Sequence, residues 1–304
     1  MKNSNYIFFV LALSFVVQIN AQQDPHFSLY KYNRNVINPA YAGTAGQVET
    51  LFGVRSQWTQ VQDAPETFNF NVNSPLGKNV GLGLTVVADK VFVLSETHLY
   101  ADFSYKLTLS EDLDLYAGLK AGGSFLNVDL NGLVENDPLF SENISNFNPN
   151  VGVGVYLRAE NYYVTVSAPG LLKSDRFERE GVVPVSANDN IHFFTGAGYD
   201  FNLSDTFSLR PSALAKFVSG APVSIDLTAS MMYNKKIELG INYRLDESYT
   251  GFITIEFLDR LRVGYAFERA TTDVNNFSSG THEVILKLLF GNKGREGSQR
   301  FNNF

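Results

Sequence analysis

The side chains in this sequence that could carry chemistry do not fall at spacings that known metal sites use. The four histidines, His26, His98, His192 and His282, are far apart. None has a second histidine or a carboxylate at the helical spacing of a zinc-binding helix. His282 and Glu283 are adjacent in a predicted strand, so their side chains point to opposite faces. The sequence predicts no metal site and no cofactor.

Nucleophilic catalysis has no supporting motif either. The chain has no cysteine, which removes thiolate nucleophiles, thiolate metal sites and disulfides. Gly122-Gly123-Ser124 lacks the spacing and the following helix of a Gly-x-Ser-x-Gly elbow. Because a serine triad assembles from distant positions, a hydrolase stays open as a hypothesis without a motif. We predict no catalytic residue and no enzymatic activity.

The elements that would position any site are strands of alternating polarity. Residues 236–245 (KIELGINYRL) alternate strictly between apolar and polar side chains. Since successive side chains of a strand face opposite sides, this pattern gives one apolar and one polar face. About fourteen such segments predict an all-β chain, a single transmembrane antiparallel β-barrel of outer-membrane type. The predicted strands are residues 48–58, 66–74, 79–89, 96–109, 113–128, 150–158, 161–168, 190–201, 206–217, 222–233, 236–245, 250–258, 260–268 and 281–290.

The start of the chain predicts export. Lys2 precedes the apolar run 6–17, and Asn20-Ala21 precedes Gln22 in a small-residue cleavage context. The alternative, a membrane anchor, needs roughly 20 apolar residues, which this run does not supply. We therefore divide the chain into a signal peptide, an N-terminal periplasmic or lumen segment, a barrel and a polar tail. These domains are residues 1–21, 22–47, 48–290 and 291–304.

Composition narrows the partners. The chain has 24 Lys and Arg against 31 Asp and Glu, a net charge of −7. This balance argues against nucleic acid, which binds basic surfaces. Mean hydropathy is only −0.08, because alternation averages each strand to neutral. The 15 Tyr and 25 Phe suit the aromatic belts of a barrel in contact with membrane lipids, or the ordinary aromatic enrichment of β proteins.

The connections predict how the barrel is oriented. Every second one is a short turn, and most of these turns are rich in Asn, Asp and Ser, such as 110–112 and 202–205. Three of the others are long, at residues 129–149, 169–189 and 269–280. Outer-membrane barrels have short turns in the periplasm and long loops outside. With an even strand number, we expect both termini in the periplasm.

Charged residues near the two ends of the barrel sequence define a predicted seam. Closure makes the first and last strands neighbours, which brings Arg55 near Glu283. The sequence allows three arrangements of this pair: a salt bridge, a contact of either charge to a plug, or two separate charges solvated in the lumen. Trp58 ends the predicted first strand, as part of an aromatic belt or as an anchor for a partner. The seam residues are Arg55, Gln57, Trp58, His282 and Glu283.

Two further features bear on the lumen. Residues 22–47 contain aromatic side chains and a turn-forming motif, so we expect this segment to pack inside the lumen or against the periplasmic rim. Glycines recur at even spacing within strands, which indicates either barrel curvature or close approach of a plug. The motif is Asn38, Pro39, Ala40, Tyr41, Ala42 and Gly43.

Seven short segments of the chain form a specific set: residues 23–30 (QDPHFSLY), 37–43 (INPAYAG), 55–58 (RSQW), 152–156 (GVGVY), 167–169 (SAP), 264–266 (GYA) and 280–284 (GTHEV). Together these segments resemble the PorP/SprF family of outer-membrane proteins in the type IX secretion and gliding machinery of Bacteroidota. The resemblance covers essentially the whole mature chain, and the hexapeptide followed by Arg-x-Gln-Trp is specific. It implies an outer-membrane location and a helper role, in which the protein is needed for a cognate adhesin-like cargo with a type IX C-terminal domain to be secreted or held on the surface. The outer-membrane translocon is a further possible partner.

The sequence features allow three hypotheses for the function. The first is a secretion partner that binds cargo through its long loops, where Phe147, Phe177 and Phe277 are candidate contacts. These side chains could equally hold their own loops in place. The second is a channel or transporter for small solutes, against which the mixed charges of the lumen argue. The third is an outer-membrane hydrolase, which has no motif.

Overall fold

The structure is an antiparallel barrel that closes on itself. The computed structural model describes residues 26–130, 143–172, 190–258 and 260–291. Pairing runs around a ring, and the last strand pairs with the first. The strands are β1 Val48–Ser56, β2 Glu66–Leu76, β3 Val80–Val91, β4 Leu94–Ser110, β5 Leu113–Val128, β6 Ile144–Arg158, β7 Tyr162–Ala168, β8 His192–Tyr199, β9 Phe201–Asn202, β10 Phe207–Leu209, β11 Ser212–Val218, β12 Ser224–Tyr233, β13 Ile237–Arg244, β14 Ser248–Phe257, β15 Leu261–Ala270 and β16 Thr281–Phe290.

In the part of the chain that the structure describes, the barrel wall has fourteen strands, because two of them are interrupted. Asp200 separates β8 from β9, and Arg210 and Pro211 separate β10 from β11. Proline has no N–H to donate, so the ladder breaks at Pro211. Both β10 and β11 nevertheless pair with β12, which keeps the wall continuous. The predicted all-β, outer-membrane type barrel of about fourteen strands is confirmed.

The alternation in the sequence becomes an apolar outside and a polar inside. In β13, Leu239 and Ile241 point outward and are exposed, while Glu238, Asn242 and Arg244 point inward and are buried. The same arrangement recurs around the ring, with exposed aromatic and aliphatic side chains facing outward. An outer surface of this kind suits contact with lipid.

The connections segregate to the two ends of the barrel. At the short-turn end they are residues 77–79, 111–112, 159–161, 203–206, 234–236 and 258–260. At the opposite end, which we call the loop-bearing end, they are residues 57–65, 92–93, 129–143, 169–191, 219–223, 245–247 and 271–280. Strand β1 starts and strand β16 finishes at the short-turn end.

Two predicted boundaries need correction. Phe147 lies in β6 rather than in a loop, because β5 extends far enough to pair with it, with Phe125 opposite Phe147. The Asn and Pro residues around it suggested a turn, and pairing with β5 overrides that local preference. Strand β1 ends at Ser56, so Gln57 and Trp58 belong to the next connection.

Helical structure is sparse in the described ranges. One helix, α1 Arg34–Ile37, precedes a 3-10 turn at Pro39–Tyr41, and a second 3-10 turn lies at Asp273–Asn276. None of the helices in this part of the chain is long and apolar enough to cross a membrane.

Candidate functional site

The lumen is occupied by the chain segment that precedes β1. We call residues 26–47 the inner segment. Most of its side chains are buried, and they contact inward-facing residues on strands from both halves of the ring. Asn38 fixes its central turn, because the Asn38 Oδ1 accepts the Ala40 N–H at 2.8 Å and Pro39 presets the backbone of the 3-10 turn. The inner segment and the wall around it form the candidate functional site.

At the loop-bearing end, the inner segment joins the seam. Arg55 on β1 and Glu283 on β16 are directly opposite, and Arg55 Nη1 lies 3.3 Å from Glu283 Oε2. Arg55 Nη2 also lies 3.0 Å from Glu268 Oε1. The Glu283 carboxylate accepts the backbone N–H groups of Ser28 at 2.7 Å and Leu29 at 3.2 Å. One buried carboxylate thus holds both the seam and the inner segment.

A second ionic cluster lies deeper in the lumen. Glu238 is fully buried, and its carboxylate lies 2.6 Å from Lys31 Nζ and 3.2 Å from Arg210 Nη1. Arg210 also makes two 2.8 Å hydrogen bonds to Asp200. The Tyr32 hydroxyl donates to Glu238.

Arg34 occupies an aromatic cage. Its guanidinium lies 4.2 Å from the ring centre of Tyr163 and 5.1 Å from that of Tyr41. It also donates hydrogen bonds to the hydroxyls of Tyr41 at 3.1 Å and Tyr156 at 3.2 Å. Cation–π attraction is strongest when the cation is desolvated, as Arg34 is here. The cage joins the inner segment to β6 and β7.

The hexapeptide 38–43 rests on glycines of the wall. A Cβ atom added at Gly118 would lie 2.1 Å from Ala40 N, and one at Gly154 would lie 2.0 Å from Asn38 Oδ1. At Gly81 the added Cβ would lie 2.0 Å from the Ala42 carbonyl oxygen. Close backbone approach to the inner segment is therefore the reason for glycine at these positions, whereas the sequence left curvature equally open.

The inner segment runs from one end of the barrel to the other. His26 Nε2 lies 2.5 Å from Lys216 Nζ, two residues before β11 ends at the loop-bearing end. Arg158, the last residue of β6 at the short-turn end, donates to the Thr44 carbonyl at 3.0 Å. His26 and the start of β1 therefore lie at opposite ends of the barrel. The expectation of two periplasmic termini stays a prediction, because both termini lie outside the described residues.

The remaining predicted seam residues lie at the rim or on the outside. Gln57 N–H donates to the Pro65 carbonyl at 2.9 Å, and the half-buried Trp58 donates its N–H to Thr281 Oγ1 at 3.1 Å. His282 points outward, with Nδ1 2.7 Å from the Tyr265 hydroxyl. Trp58 thus ties the first connection to the last strand, and His282 shares the outer face with aromatic side chains.

A recess opens beside these rim residues. It has a volume of about 350 Å³ and is lined mainly by polar side chains, together with Val61, Ala64 and one exposed aromatic ring. Gln57, Asp63 and Lys90 contribute polar groups, and Phe92 contributes the ring. This recess belongs to the loop-bearing end, and sequence reasoning identified Gln57 but not the other residues.

The three aromatic residues predicted to bind cargo do not form a cluster in the part of the chain that the structure describes. Phe147 faces outward from β6 and packs on Phe125, with ring centres 4.8 Å apart. Phe277 lies in the 271–280 connection and is 77% exposed. Phe177 lies outside the described residues. Among the residues that the structure describes, no group of His, Asp and Glu side chains could hold a metal ion.

Comparison with known proteins gives one family match and several similar solved structures. The family model described as type IX secretion system membrane protein PorP/SprF matches residues 19–288. No curated protein matches the sequence. Among solved structures, the Acinetobacter baumannii outer membrane protein Omp33 is similar with a TM-score of 0.47 and 12% identity, over 80% of this chain and 98% of that one. The CymD monoaromatic hydrocarbon channel is similar with a TM-score of 0.48 and 12% identity, over 84% of this chain and 92% of that one. Because the family model spans most of the sequence, the chain belongs to the PorP/SprF family of type IX secretion system membrane proteins.

Proposed function

We propose that this outer-membrane barrel is a non-enzymatic partner in type IX secretion. It helps a cognate cargo protein with a type IX C-terminal domain, adhesin-like in kind, to be secreted or held at the cell surface. Family membership supports the secretion role. The observation that carries the proposal is the occupied lumen, in which a buried ion pair and hydrogen bonds to a buried carboxylate bind the inner segment to the wall. A bore filled in this way leaves the two ends of the barrel as the surfaces available to a partner.

The loop-bearing end is the surface we assign to cargo. Binding sites are commonly carried by loops on a rigid scaffold. This end offers Phe277, which is strongly exposed, and the polar recess beside Gln57. We retain Phe147 and Phe177, which the sequence analysis predicted together with Phe277, as candidate contacts for cargo. Exposed aromatic side chains surrounded by polar residues are typical anchors of protein interfaces.

The orientation of the barrel is part of the proposal. Short turns face the periplasm and long connections face outward in outer-membrane barrels. This arrangement puts the first residue of β1 and the last residue of β16 on the periplasmic side. The outer-membrane translocon could then be met at either rim, and we propose it as a second protein partner.

An affinity pull-down of the tagged chain from solubilised outer membranes tests the partner role. We expect one large surface protein with a type IX C-terminal domain to be recovered, as identified by mass spectrometry. Recovery of the barrel alone, in a detergent that preserves known outer-membrane complexes, would contradict the proposal. A conductance measurement in planar bilayers then tests the alternative, a channel for small solutes, for which the intact chain would have to give stable open events.

A further inference from the structure

The inner segment has a fixed direction inside the barrel. Its first described residue, His26, lies beside Lys216 near the loop-bearing end of β11. Ser28 follows at nearly the same level, since its N–H donates to Glu283, two residues from the start of β16. The amino end of the inner segment therefore sits close to the end of the barrel that carries the long connections.

The following residues of the inner segment lie deeper in the lumen, on the way to the short-turn end. The Tyr32 hydroxyl lies 3.1 Å from Thr254 Oγ1, in the middle of β14. Asn73, near the short-turn end of β2, contacts Asn35 at 3.1 Å and accepts the Gly43 N–H at 3.1 Å. The chain then enters β1 at the short-turn end. The described contacts of the inner segment thus start at the loop-bearing end and finish at the short-turn end, with Asn35 and Gly43 meeting the same wall side chain in between.

We propose that the amino end of the inner segment opens at the same mouth as the long connections, so that His26 forms part of the loop-bearing surface. The proposal adds an element to the surface to which we assign cargo, and it rests on the proposed function only for which mouth faces outward. A secreted partner that binds this mouth would meet the chain's own amino end together with the loops.

Contacts to two buried carboxylates hold the first residues of the inner segment in place. Glu283 is buried, and it would lose two backbone donors if residues 28 and 29 withdrew. Lys31 would likewise leave Glu238, the fully buried carboxylate that it pairs with. Removing one partner of a buried charged pair is costly because the remaining charge is left uncompensated. The direction of the segment is therefore a stable property of the folded barrel.

Epitope accessibility tests this direction. An eight-residue epitope is inserted between Asp24 and Pro25, and antibody binding is compared between intact and permeabilised cells. The same epitope between Phe277 and Ser278 marks the loop-bearing end, and one between Glu111 and Asp112 marks the short-turn end. We expect the Asp24 epitope to be bound under the same conditions, and to a similar extent, as the Phe277 epitope.

Two results would overturn the proposal. The Asp24 epitope could be bound only under the conditions that expose the Glu111 epitope, or it could stay hidden in both native conditions while a denatured blot shows full-length protein. Failure of the proposed orientation is separate, because it would appear as a Phe277 epitope that is hidden until the membrane is permeabilised. Agreement between the Asp24 and Phe277 epitopes decides the present proposal in either orientation.

A second set of variants covers the case in which an insertion prevents assembly. Because the chain has no cysteine, single cysteines at His26→Cys and Ala45→Cys report the two ends of the inner segment. We expect a membrane-impermeant maleimide to react with the His26→Cys variant from the side that modifies Phe277→Cys. The Ala45→Cys variant should react from the opposite side. Reversed reactivity, or a His26→Cys variant that reacts only after denaturation, would contradict the inferred direction.

Discussion

The guanidinium of Arg55 and the carboxylate of Glu283 face each other across the seam that closes the barrel, 3.3 Å apart and almost fully buried. The same carboxylate accepts backbone N–H groups of Ser28 and Leu29 from the inner segment. Closure of the ring and docking of the segment therefore depend on one side chain. Substitutions at this pair should affect both properties together.

Replacing Arg55 with leucine should destabilise the closed barrel strongly. Glu268 and Glu283 would remain buried near each other without their shared cation. Breaking a buried ion pair by removing one partner costs about 3–5 kcal/mol. Glu283→Gln should cost less, about 1–3 kcal/mol, because its amide oxygen can still accept the Ser28 N–H and Arg55 keeps Glu268. Denaturant titration of the purified barrel in lipid vesicles measures the free energy of unfolding.

The control for this series is Arg260→Leu, which removes an exposed arginine at the short-turn end. It should change the unfolding free energy little, since exposed charges contribute little to stability. Equal stability of the Arg55→Leu variant and the unsubstituted chain would show that the seam pair does not hold the barrel closed.

Valine at Gly118 or Gly154 should displace the hexapeptide from the wall. The added side chain would overlap the backbone at Ala40 or the side chain of Asn38, and overpacking of this kind costs about 1–3 kcal/mol. Gly251→Val is the matched control, because a Cβ there meets no atom within 4 Å. Proteolysis of the inner segment in folded barrels is the measurement. Equal protection in all three variants would contradict the account of these glycines.

Deletion of residues 22–47, with the signal peptide kept, should impair assembly or open the lumen. The deletion removes Lys31 from Glu238 and the Ser28 and Leu29 donors from Glu283, and it empties the bore. We expect lower barrel levels, or stable conductance in planar bilayers and greater sensitivity of cells to large antibiotics. A barrel that assembles normally and remains closed to ions after the deletion would show that the inner segment does not block the lumen.

Phe277→Ala should weaken cargo retention without lowering the amount of barrel. Phe277 is 77% exposed in the described structure, so its removal costs the fold little. If it anchors the partner, affinity should fall by about 2 kcal/mol, roughly 30-fold. Leu258→Ala, at a side chain that is 89% exposed at the short-turn end, is the control and should leave retention unchanged. Phe147→Ala and Phe177→Ala complete the set of predicted contacts. Equal retention of cargo in all four variants would show that cargo binds to a different surface of the protein.

Much of the wall could be predicted because strand alternation is local. Each two-residue step assigns a side chain to the lipid or the lumen, so the polar face of 236–245 correctly placed Glu238 and Arg244 inside. The ends of the strands were harder to predict from the sequence, as β6 shows. Phe147 lies among residues typical of turns, and only the length of the neighbouring β5 makes this stretch a strand.

The candidate site depends on contacts between residues far apart in sequence. The proximity of Arg55 and Glu283 follows from closure of the ring, and the sequence could anticipate it. The pairing of Lys31 with Glu238 could not be anticipated, because it requires the depth of the inner segment in the bore. The aromatic cage around Arg34 is of the same kind, since its tyrosines come from three separate segments.

By itself, the sequence determined the class of fold, the family resemblance and the polarity of each face of the wall, since these depend on local periodicity and on short motifs. The tertiary structure decided that the inner segment fills the lumen, that it runs from the loop-bearing end to the short-turn end, and that the hexapeptide rests on Gly118 and Gly154. The physical reason is that desolvation makes each buried charge select a particular partner, and closure of the ring fixes which partners lie within reach.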